Sequence, residues 1–306
     1  MNQYDALVIG GGPAGVTAAL YLARSACSVL LCEQLTPGGQ LLMTDCLENY
    51  PGHPKGIKGY ELADLFAAHL EGLNIDRQTG AVDSVVGAAG NFAARCDGRE
   101  YGAKTILVCS GARRRPLGLD REDALLGRGV SYCALCDGNF FRGQTVAVVG
   151  GGNSALEEAL YLAKIAAKVY LIHRRDAFRG TRVFLDRLRQ TPNVSMLLDT
   201  VISRLHGESG LTGLTLKNVR TEEERLLPVD GLFVYVGFEP ATHFLPPDLN
   251  RDAQGFIVTD TEMRTSIPGI FAAGDIRSKL CRQVVTAAGD GATAAQAAFI
   301  LLEQLR

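Results

Sequence analysis

The chain carries the same strand–turn–helix signal twice, and this repeat constrains the fold more than any other feature. An apolar run over 4–9 leads into a glycine turn at 10–15, and a second run over 145–149 leads into a turn at 150–155. The helical stretch after each turn contains the same letters, ALYLA, and ends before another apolar run. Each copy therefore predicts a βαβ unit with a dinucleotide-binding fingerprint.

Each small residue of these turns has a physical reason. The first glycine allows a tight exit from the strand, the second lets a pyrophosphate approach the backbone, and the last small residue keeps the helix close to the sheet. The free N–H groups of the helix N-terminus attract phosphate. A turn without a ligand is the alternative for one copy alone, and the matched repeat disfavours it. The predicted dinucleotide contacts are Gly10, Gly12, Pro13, Ala14 and Gly15 in the first turn, and Gly150, Gly152, Asn153, Ser154 and Ala155 in the second.

The residue that follows the second strand of each unit indicates which dinucleotide binds. In the first copy it is Glu33, whose carboxylate accepts hydrogen bonds from a free ribose 2′-OH and repels a 2′-phosphate. In the second copy it is His173, followed by Arg174, Arg175 and Arg179, and guanidinium groups favour a 2′-phosphate. A solvated basic turn is the alternative there. The pattern predicts FAD in the first domain and NADPH in the second.

Two further segments fit an FAD site and lie at opposite ends of the chain. Gly39 and Gln40 belong to a glycine turn shortly after the first unit, and Asp275 ends a short apolar strand near the C-terminus. An Asp at that point is suited to a ribityl hydroxyl, although it also suits an ordinary turn. The NADPH signal lies between the FAD signals, so the nucleotide domain is predicted to be inserted into the FAD domain.

The predicted fold is therefore α/β, with two Rossmann-like, three-layer domains that bind FAD and NAD(P). The discontinuous FAD-binding domain comprises residues 1–114 and 247–306, and the NADPH-binding domain comprises residues 115–246 and carries the CxxC motif. Alternating polar and apolar residues over 199–236 predict a small antiparallel layer. An Ala-rich pattern over 284–305 predicts a long helix.

A Cys-Ala-Leu-Cys segment ends at Cys136, 14 residues before the second glycine turn, and Asp137 follows it directly. A CxxC at a helix start lowers the pKa of the thiols and holds them close enough to bond, so Cys133 and Cys136 are predicted to be redox-active. Structural zinc needs about four ligands and no second CxxC is present, so no metal is expected. Two inert buried thiols are the other alternative. Asp137 is suited to proton donation, or equally to capping the local turn.

The remaining cysteines are expected to be buried apolar residues; they are Cys27, Cys32, Cys46, Cys96, Cys109 and Cys281.

Charge and hydropathy bear on the partners and the location. The net charge of −2 and the pI near 6.2 leave no basic stripe, so nucleic acid is not an expected partner. The N-terminus lacks the pattern of a signal peptide, and no long uninterrupted apolar window predicts a membrane span. We therefore expect a cytoplasmic protein that does not bind a membrane.

Taken together, these motifs resemble the low-molecular-weight, bacterial-type thioredoxin reductases. The similar segments are GGGPAG at 10–15, TPGGQL at 36–41, ENYPG at 48–52, CALCDG at 133–138, GGGNSALEEALYL at 150–162, HRRDAFR at 173–179, GD at 274–275 and RQVVTAAGDGATAA at 282–295. The resemblance implies a homodimer that uses FAD and NADPH, with its two domains joined by a flexible two-segment hinge. It implies thioredoxin or a related small redoxin as the partner.

The resemblance also assigns roles to particular residues. It implies that Cys136 faces the flavin, that Cys133 attacks thioredoxin and that Asp137 donates a proton. It places further residues at the FAD site, namely Asn49, Arg282, Gln283 and Val284.

The leading hypothesis is electron transfer from NADPH through FAD and the cysteine pair to a thioredoxin disulfide. Related alternatives keep the fold and change the protein acceptor, or replace NADPH by a ferredoxin-type donor. A third alternative is a nucleotide-loaded redox sensor that has no turnover.

Overall fold

The computed structural model describes residues 3–44 and 46–305. Its strands are β1 (Gln3–Ile9), β2 (Val29–Glu33), β3 (Cys46–Leu47), β4 (Ile57–Lys58), β5 (Ile75–Thr79), β6 (Val82–Ala88), β7 (Asn91–Cys96), β8 (Arg99–Val108), β9 (Ala112–Arg114), β10 (Val130–Ser131), β11 (Thr145–Gly150), β12 (Lys168–Ile172), β13 (Val194–Leu197), β14 (Thr200–His206), β15 (Gly213–Asn218), β16 (Glu224–Pro228), β17 (Gly231–Tyr235), β18 (Phe238–Pro240) and β19 (Ile270–Ala272).

The α-helices are α1 (Pro13–Arg24), α2 (Gly59–Ala68), α3 (Glu122–Leu125), α4 (Ala134–Asp137), α5 (Asn153–Ala163), α6 (Arg182–Arg189) and α7 (Val284–Gln304). Three 3₁₀ turns lie at Gly39–Met43, Gly138–Phe141 and Gly274–Ile276.

The first compact unit comprises Met1–Arg113 and Glu239–Arg306. Its sheet has the order β5–β2–β1–β8–β7–β6; the first part of β8 pairs with β7, and its end pairs with β19. Strands β5, β2, β1, β8 and β19 run parallel, whereas β8, β7 and β6 are antiparallel. Side chains of β1 enter both cores: Ala6 and Val8 pack with α1 and α7, and Leu7 and Ile9 pack on the opposite face. Burial on both faces is typical of a central parallel strand.

The second unit is Arg114–Phe238. Its parallel sheet has the order β10–β17–β11–β12–β13, with α5 and α6 packed on one face. The antiparallel strands β14, β15 and β16 pack on the other face. The predicted α/β fold with two three-layer, Rossmann-like units is confirmed.

Two expectations about this part of the chain need correction. The antiparallel layer is shorter than 199–236, because β17 joins the parallel sheet between β10 and β11. The second crossing between the units lies at Phe238 and Glu239, before the boundary expected at 246/247. The intervening segment stays with the first unit because Phe244 and Leu245 are buried in its core. The crossing strands β9 and β18 pair with each other.

Helix α7 contacts α1 closely and brings one buried charge into the first unit. A Cβ on Gly291 would lie 2.2 Å from the Ala14 carbonyl oxygen, so only glycine fits this approach. Within the described residues, α7 is the one helix long and apolar enough by composition to span a membrane. Its inward face, however, lies in the core of the first unit and carries Asp290.

Asp290 connects α7 to the segment after β19. Its carboxylate accepts hydrogen bonds from the backbone N–H of Gly274 at 3.1 Å, Arg277 Nη1 at 3.1 Å and Lys279 Nζ at 3.0 Å. All three charged side chains are at least four-fifths buried. Removal of one member of such a cluster leaves buried charge without compensation.

We therefore expect Asp290→Ala to lower the free energy of unfolding by about 3 kcal/mol. Asp186→Ala is the matched control, because Asp186 also meets two arginines, Arg182 and Arg189, but on an exposed helix surface. That control should cost less than about 1 kcal/mol. Urea unfolding followed by circular dichroism measures both values, and equal losses would contradict the structural role of Asp290.

Candidate functional site

The first glycine turn is built to receive a ligand. Gly10 has a φ of +102°, which disfavours other residues, and a Cβ on Gly15 would lie 1.8 Å from the Gly10 carbonyl oxygen. At Gly12, by contrast, an added Cβ would meet no atom within 4 Å. The open space lies where the N-terminus of α1 begins at Pro13. The turn thus leaves room for a phosphate against free N–H groups.

Glu33 at the end of β2 is held beside this turn. Its Oε2 accepts a hydrogen bond from the Gly11 N–H at 2.5 Å, and its Oε1 accepts one from the Leu35 N–H at 3.2 Å. These two hydrogen bonds orient the Glu33 carboxylate at the edge of the predicted phosphate site. This is the arrangement that selects a free ribose hydroxyl over a phosphate.

The segments predicted to complete the FAD site meet around the start of α7. Gln283 caps that helix, and its side-chain oxygen accepts a hydrogen bond from Asn49 Nδ2 at 3.1 Å. Val284 is the first residue of the helix, so it lies beside the cap. Gln40, from the glycine turn after β2, donates through its Nε2 to the Ala112 carbonyl oxygen at 3.3 Å. The structure therefore brings Asn49, Gln283 and Val284 together, as the resemblance implies.

Two polar atoms in this region are buried without a hydrogen-bond partner, and both fit the chemistry of a bound FAD. They are Asp275 Oδ1 and Arg282 Nε. Burial raises the pKa of Asp275, and the nearby charges of Lys279 and Arg282 partly oppose that rise. The Arg282 guanidinium lies over the Phe256 ring at 4.0 Å. Buried groups left unsatisfied indicate a missing polar ligand, and the ribityl and ring edges of FAD carry the required donors and acceptors.

The second glycine turn repeats this design with one difference. Gly150 has a φ of +152°, and an added Cβ on Gly152 would again meet no atom within 4 Å. Ala155 replaces the last glycine and is fully buried. The ring of His173 lies against Gly151, where an added Cβ would be 2.1 Å from it. The turn is open to a phosphate but closed to any larger residue at position 151.

His173 is buried, and its Nε2 has no hydrogen-bond partner. Its ring stacks on Phe178 with centroids 5.2 Å apart. Burial lowers the pKa of His173, a hydrogen bond with the Ala177 backbone partly opposes this, and the charges of the three following arginines lower the pKa further. The imidazole is therefore neutral near pH 7 and offers one unsatisfied nitrogen beside the turn.

Arg174, Arg175 and Arg179 are exposed, and no ion pair within residues 3–44 and 46–305 engages their guanidinium groups. Their segment is tied to the glycine turn, because the Arg179 N–H donates to the Gly151 carbonyl oxygen at 2.7 Å. Asn153 Oδ1 accepts a hydrogen bond from the Thr181 N–H at 2.7 Å and closes the same loop. Three unpaired positive charges thus stand next to an open phosphate cradle.

The cysteine pair forms a disulfide at the start of α4. Cys133 and Cys136 are bonded, with their Cα atoms 5.3 Å apart. Cys133 is the N-cap, and its Sγ accepts a hydrogen bond from the Cys136 N–H at 3.1 Å. The N–H of Ala134, the residue directly after Cys133, donates to the Tyr235 hydroxyl at 2.9 Å. A thiolate formed at Cys133 therefore keeps an N–H donor, which favours the charged form.

Asp137 is held by a residue that sequence reasoning missed. The Ser131 hydroxyl lies 2.6 Å from Asp137 Oδ2 and also contacts the backbone of Cys133. Neither Ser131 nor Tyr235 carries a motif signal, since their roles depend on contacts across strands β10 and β17.

The other cysteines do not all match the expectation of burial. Cys27, Cys32, Cys96 and Cys109 are buried, whereas Cys46 and Cys281 are exposed. The expectation is wrong at Cys46 because it begins β3, a two-residue strand paired only with the equally short β4. In the described part of the chain, no group of three His, Cys, Asp or Glu side chains has the arrangement of a metal site.

Comparison with known proteins gives consistent matches over the whole chain. The model of the pyridine nucleotide-disulphide oxidoreductase family matches residues 4–291. A thioredoxin reductase of Listeria monocytogenes is 42% identical over 305 residues, which cover 99% of this chain and 95% of the relative. A thioredoxin reductase of Bacillus subtilis is 40% identical, covering 99% and 96%. The crystal structure of Lactococcus lactis thioredoxin reductase, 42% identical, superimposes with a TM-score of 0.95 and covers 98% of this chain and 99% of that one.

Proposed function

Because the chain belongs to the pyridine nucleotide-disulphide oxidoreductase family, we infer that it is an NADPH-dependent thioredoxin-disulfide reductase. The observation that carries this inference is the Cys133–Cys136 disulfide in the same unit as an open glycine turn flanked by three unpaired arginines. A dithiol that serves only as a structural link has no need of either nucleotide cradle. The end-to-end similarity to thioredoxin reductases supports the same acceptor.

The two units divide the cofactors in this proposal. The unit of Met1–Arg113 and Glu239–Arg306 holds FAD, and the unit of Arg114–Phe238 holds NADPH. When bound, FAD accepts a hydride from NADPH and passes two electrons to a disulfide. The chain contributes the Gly12 cradle, the Glu33 carboxylate and the buried Asp275 and Arg282 groups to hold it.

The cysteines then reduce thioredoxin by two exchange reactions. The Cys133 thiolate attacks one sulfur of the thioredoxin disulfide, so a mixed disulfide forms and a thioredoxin thiolate leaves. Asp137 gives its proton to that leaving sulfur. The Cys136 thiolate next attacks Cys133 Sγ, which restores the Cys133–Cys136 bond and releases the second thioredoxin sulfur, protonated from solvent. One disulfide is reduced and one is formed, so the exchange itself neither gains nor loses electrons.

We further propose a cytoplasmic homodimer, with thioredoxin or a related small redoxin as its protein partner and neither nucleic acid nor a membrane among its partners. The net charge of −2 supports the exclusion of nucleic acid. The resemblance to bacterial-type thioredoxin reductases supports the homodimer. Sedimentation equilibrium of the FAD-loaded protein tests it, and a monomer at micromolar concentration would contradict it.

The proposed function is tested by turnover with purified acceptors. Beyond the stoichiometric reduction of its own flavin and disulfide, the FAD-loaded protein is expected to oxidise NADPH over many turnovers when thioredoxin or a small redoxin is added as the acceptor. If NADPH is not consumed with any protein disulfide, while a reduced ferredoxin supports thioredoxin reduction, the donor assignment is wrong. If no donor supports turnover, the chain is a nucleotide-loaded sensor.

The two open glycine positions give a reciprocal prediction. Gly152→Val is expected to keep FAD but to raise the KM for NADPH at least about tenfold, because its side chain enters the phosphate space from a Cβ that meets no protein atom within 4 Å. Gly12→Val is expected to lose FAD on gel filtration while NADPH still binds. Each variant serves as the control for the other. Loss of both ligands from either variant would show misfolding rather than a blocked cradle.

A further inference from the structure

We propose that Ser131 is a positioning residue for the Asp137 acid and that it serves the carboxyl group in both of its protonation states. This inference rests on the proposed reductase function and deepens it. Ser131 is 3% exposed and ends β10, where it pairs in register with Phe233 of β17. Its hydroxyl is therefore fixed by the sheet rather than by a mobile loop.

The Ser131 hydroxyl has three polar neighbours and only one proton. Its oxygen accepts from the Cys133 N–H at 3.0 Å, while Asp137 Oδ2 lies at 2.6 Å and the Cys133 carbonyl oxygen at 3.2 Å. A hydroxyl donates to one acceptor at a time, so the carboxylate and the carbonyl compete for its proton. The two acceptors correspond to the two charge states of Asp137.

When Asp137 is ionised, the Ser131 hydroxyl donates to Oδ2. When Asp137 is protonated, the acid donates to the Ser131 oxygen and the hydroxyl turns its proton to the Cys133 carbonyl. Transfer of the Asp137 proton to the departing thioredoxin thiolate reverses that turn. The proton moves from carboxyl to sulfur, Ser131 keeps its own proton, and no further reactant is needed.

Two other polar side chains, Tyr235 and Arg114, lie beside the turn. Tyr235, which accepts from the Ala134 N–H, has a pKa raised chiefly by burial, and Glu158 raises it further. The Arg114 guanidinium lies 4.3 Å from the centre of the Tyr235 ring. Tyr235 thus stays neutral across the range in which a carboxyl group gains or loses its proton.

The test compares Ser131→Ala with Ser203→Ala in the FAD-loaded enzyme. Ser203 lies in the same unit, and its hydroxyl also contacts a backbone carbonyl, that of Thr215, and a carboxylate, that of Glu224, both at 3.3 Å. Ser131→Ala is expected to lower kcat with thioredoxin about tenfold, because the acid is no longer held in place. The KM for thioredoxin should change less than about twofold, because Ser131 is buried and the loss of a positioned acid affects the chemical step rather than binding. Ser203→Ala should change neither.

A double-mutant cycle separates positioning from general damage. In an Asp137→Asn background, Ser131→Ala should lower kcat by less than about twofold, because the group it positions is already removed. An equal tenfold loss in both backgrounds, or a raised KM for thioredoxin in place of a lowered kcat, overturns the proposal. NADPH-dependent ferricyanide reduction, which needs no thiol exchange, should be the same in every variant and verifies folding. If the wild-type protein reduces ferricyanide but no thioredoxin, the proposed function fails instead.

Discussion

Cys136→Ser is expected to lower NADPH-dependent thioredoxin reduction by at least about 10³-fold, because no disulfide remains to accept electrons and no thiolate remains to resolve the mixed disulfide. The bond to Cys133 and the adjacent helix start make Cys136 irreplaceable in this role. NADPH should still bleach the flavin of the variant, since the two nucleotide cradles are unchanged. Stopped-flow absorbance and a thioredoxin turnover assay measure the two halves separately.

Cys46→Ser is the matched control for this prediction. Cys46 is exposed, as Cys136 is, but it is a free thiol of the first unit and belongs to no pair. Its replacement should leave thioredoxin turnover within about twofold, because exchange needs two paired sulfurs. If Cys136→Ser retained turnover, or if Cys46→Ser lost it, the assignment of the redox-active pair would be wrong.

The combined change of Arg174, Arg175 and Arg179 to Ala is expected to raise the KM for NADPH by about 10²-fold while the KM for NADH changes less than about threefold. The three guanidinium groups are exposed beside the second glycine turn, and a 2′-phosphate is the feature that distinguishes the two nucleotides. Steady-state kinetics with each nucleotide at saturating thioredoxin measures the ratio.

A charge-matched control removes three other exposed arginines of the same unit, namely Arg189, Arg204 and Arg225. This variant loses the same positive charge, so any general electrostatic attraction of the nucleotide is weakened equally. Its KM for NADPH should change less than about threefold. Equal effects of the two triple changes, or equal loss of NADPH and NADH affinity, would show that the segment after His173 does not recognise the 2′-phosphate.

Much of this architecture could be predicted from sequence because the decisive signals are local. A glycine turn between a strand and a helix has a few-residue signature whose φ angles and open space follow from the missing Cβ, as Gly10 and Gly12 show. A CxxC at a helix start is equally local. The parallel sheets then follow from the βαβ units, since their strands must be covered on both faces.

The rest depended on contacts between distant parts of the chain. Sequence proximity places Gly231–Tyr235 with the antiparallel layer, yet all five residues are buried, as in a central parallel strand. The contact of Tyr235 with Ala134 spans 101 residues and has no sequence signature. Ser131 lies close to Asp137 in sequence, but its role depends on the register of β10 against β17. A lone serine before a CxxC does not disclose that register.

The expectation that Cys46 is buried is wrong for a similar reason. Four free thiols lie in the cores, as a small apolar residue should, but Cys46 falls on a two-residue strand at the surface. Apolar character in the sequence could not distinguish a core strand from so short an edge. The boundary between the units lies at Phe238 and not at the expected 246/247, because Phe244 and Leu245 pack into the core of the first unit. Only the tertiary contacts reveal this packing.

The central claim is that electrons from a reduced nicotinamide reach the bond between Cys133 and Cys136, and an anaerobic titration with NADPH tests it directly. A flavin and a disulfide each accept two electrons, so the FAD-loaded protein is expected to consume about two equivalents of NADPH per subunit and to yield two thiols that react with a maleimide. Consumption of one equivalent, with the flavin bleached and the disulfide intact, would contradict the account.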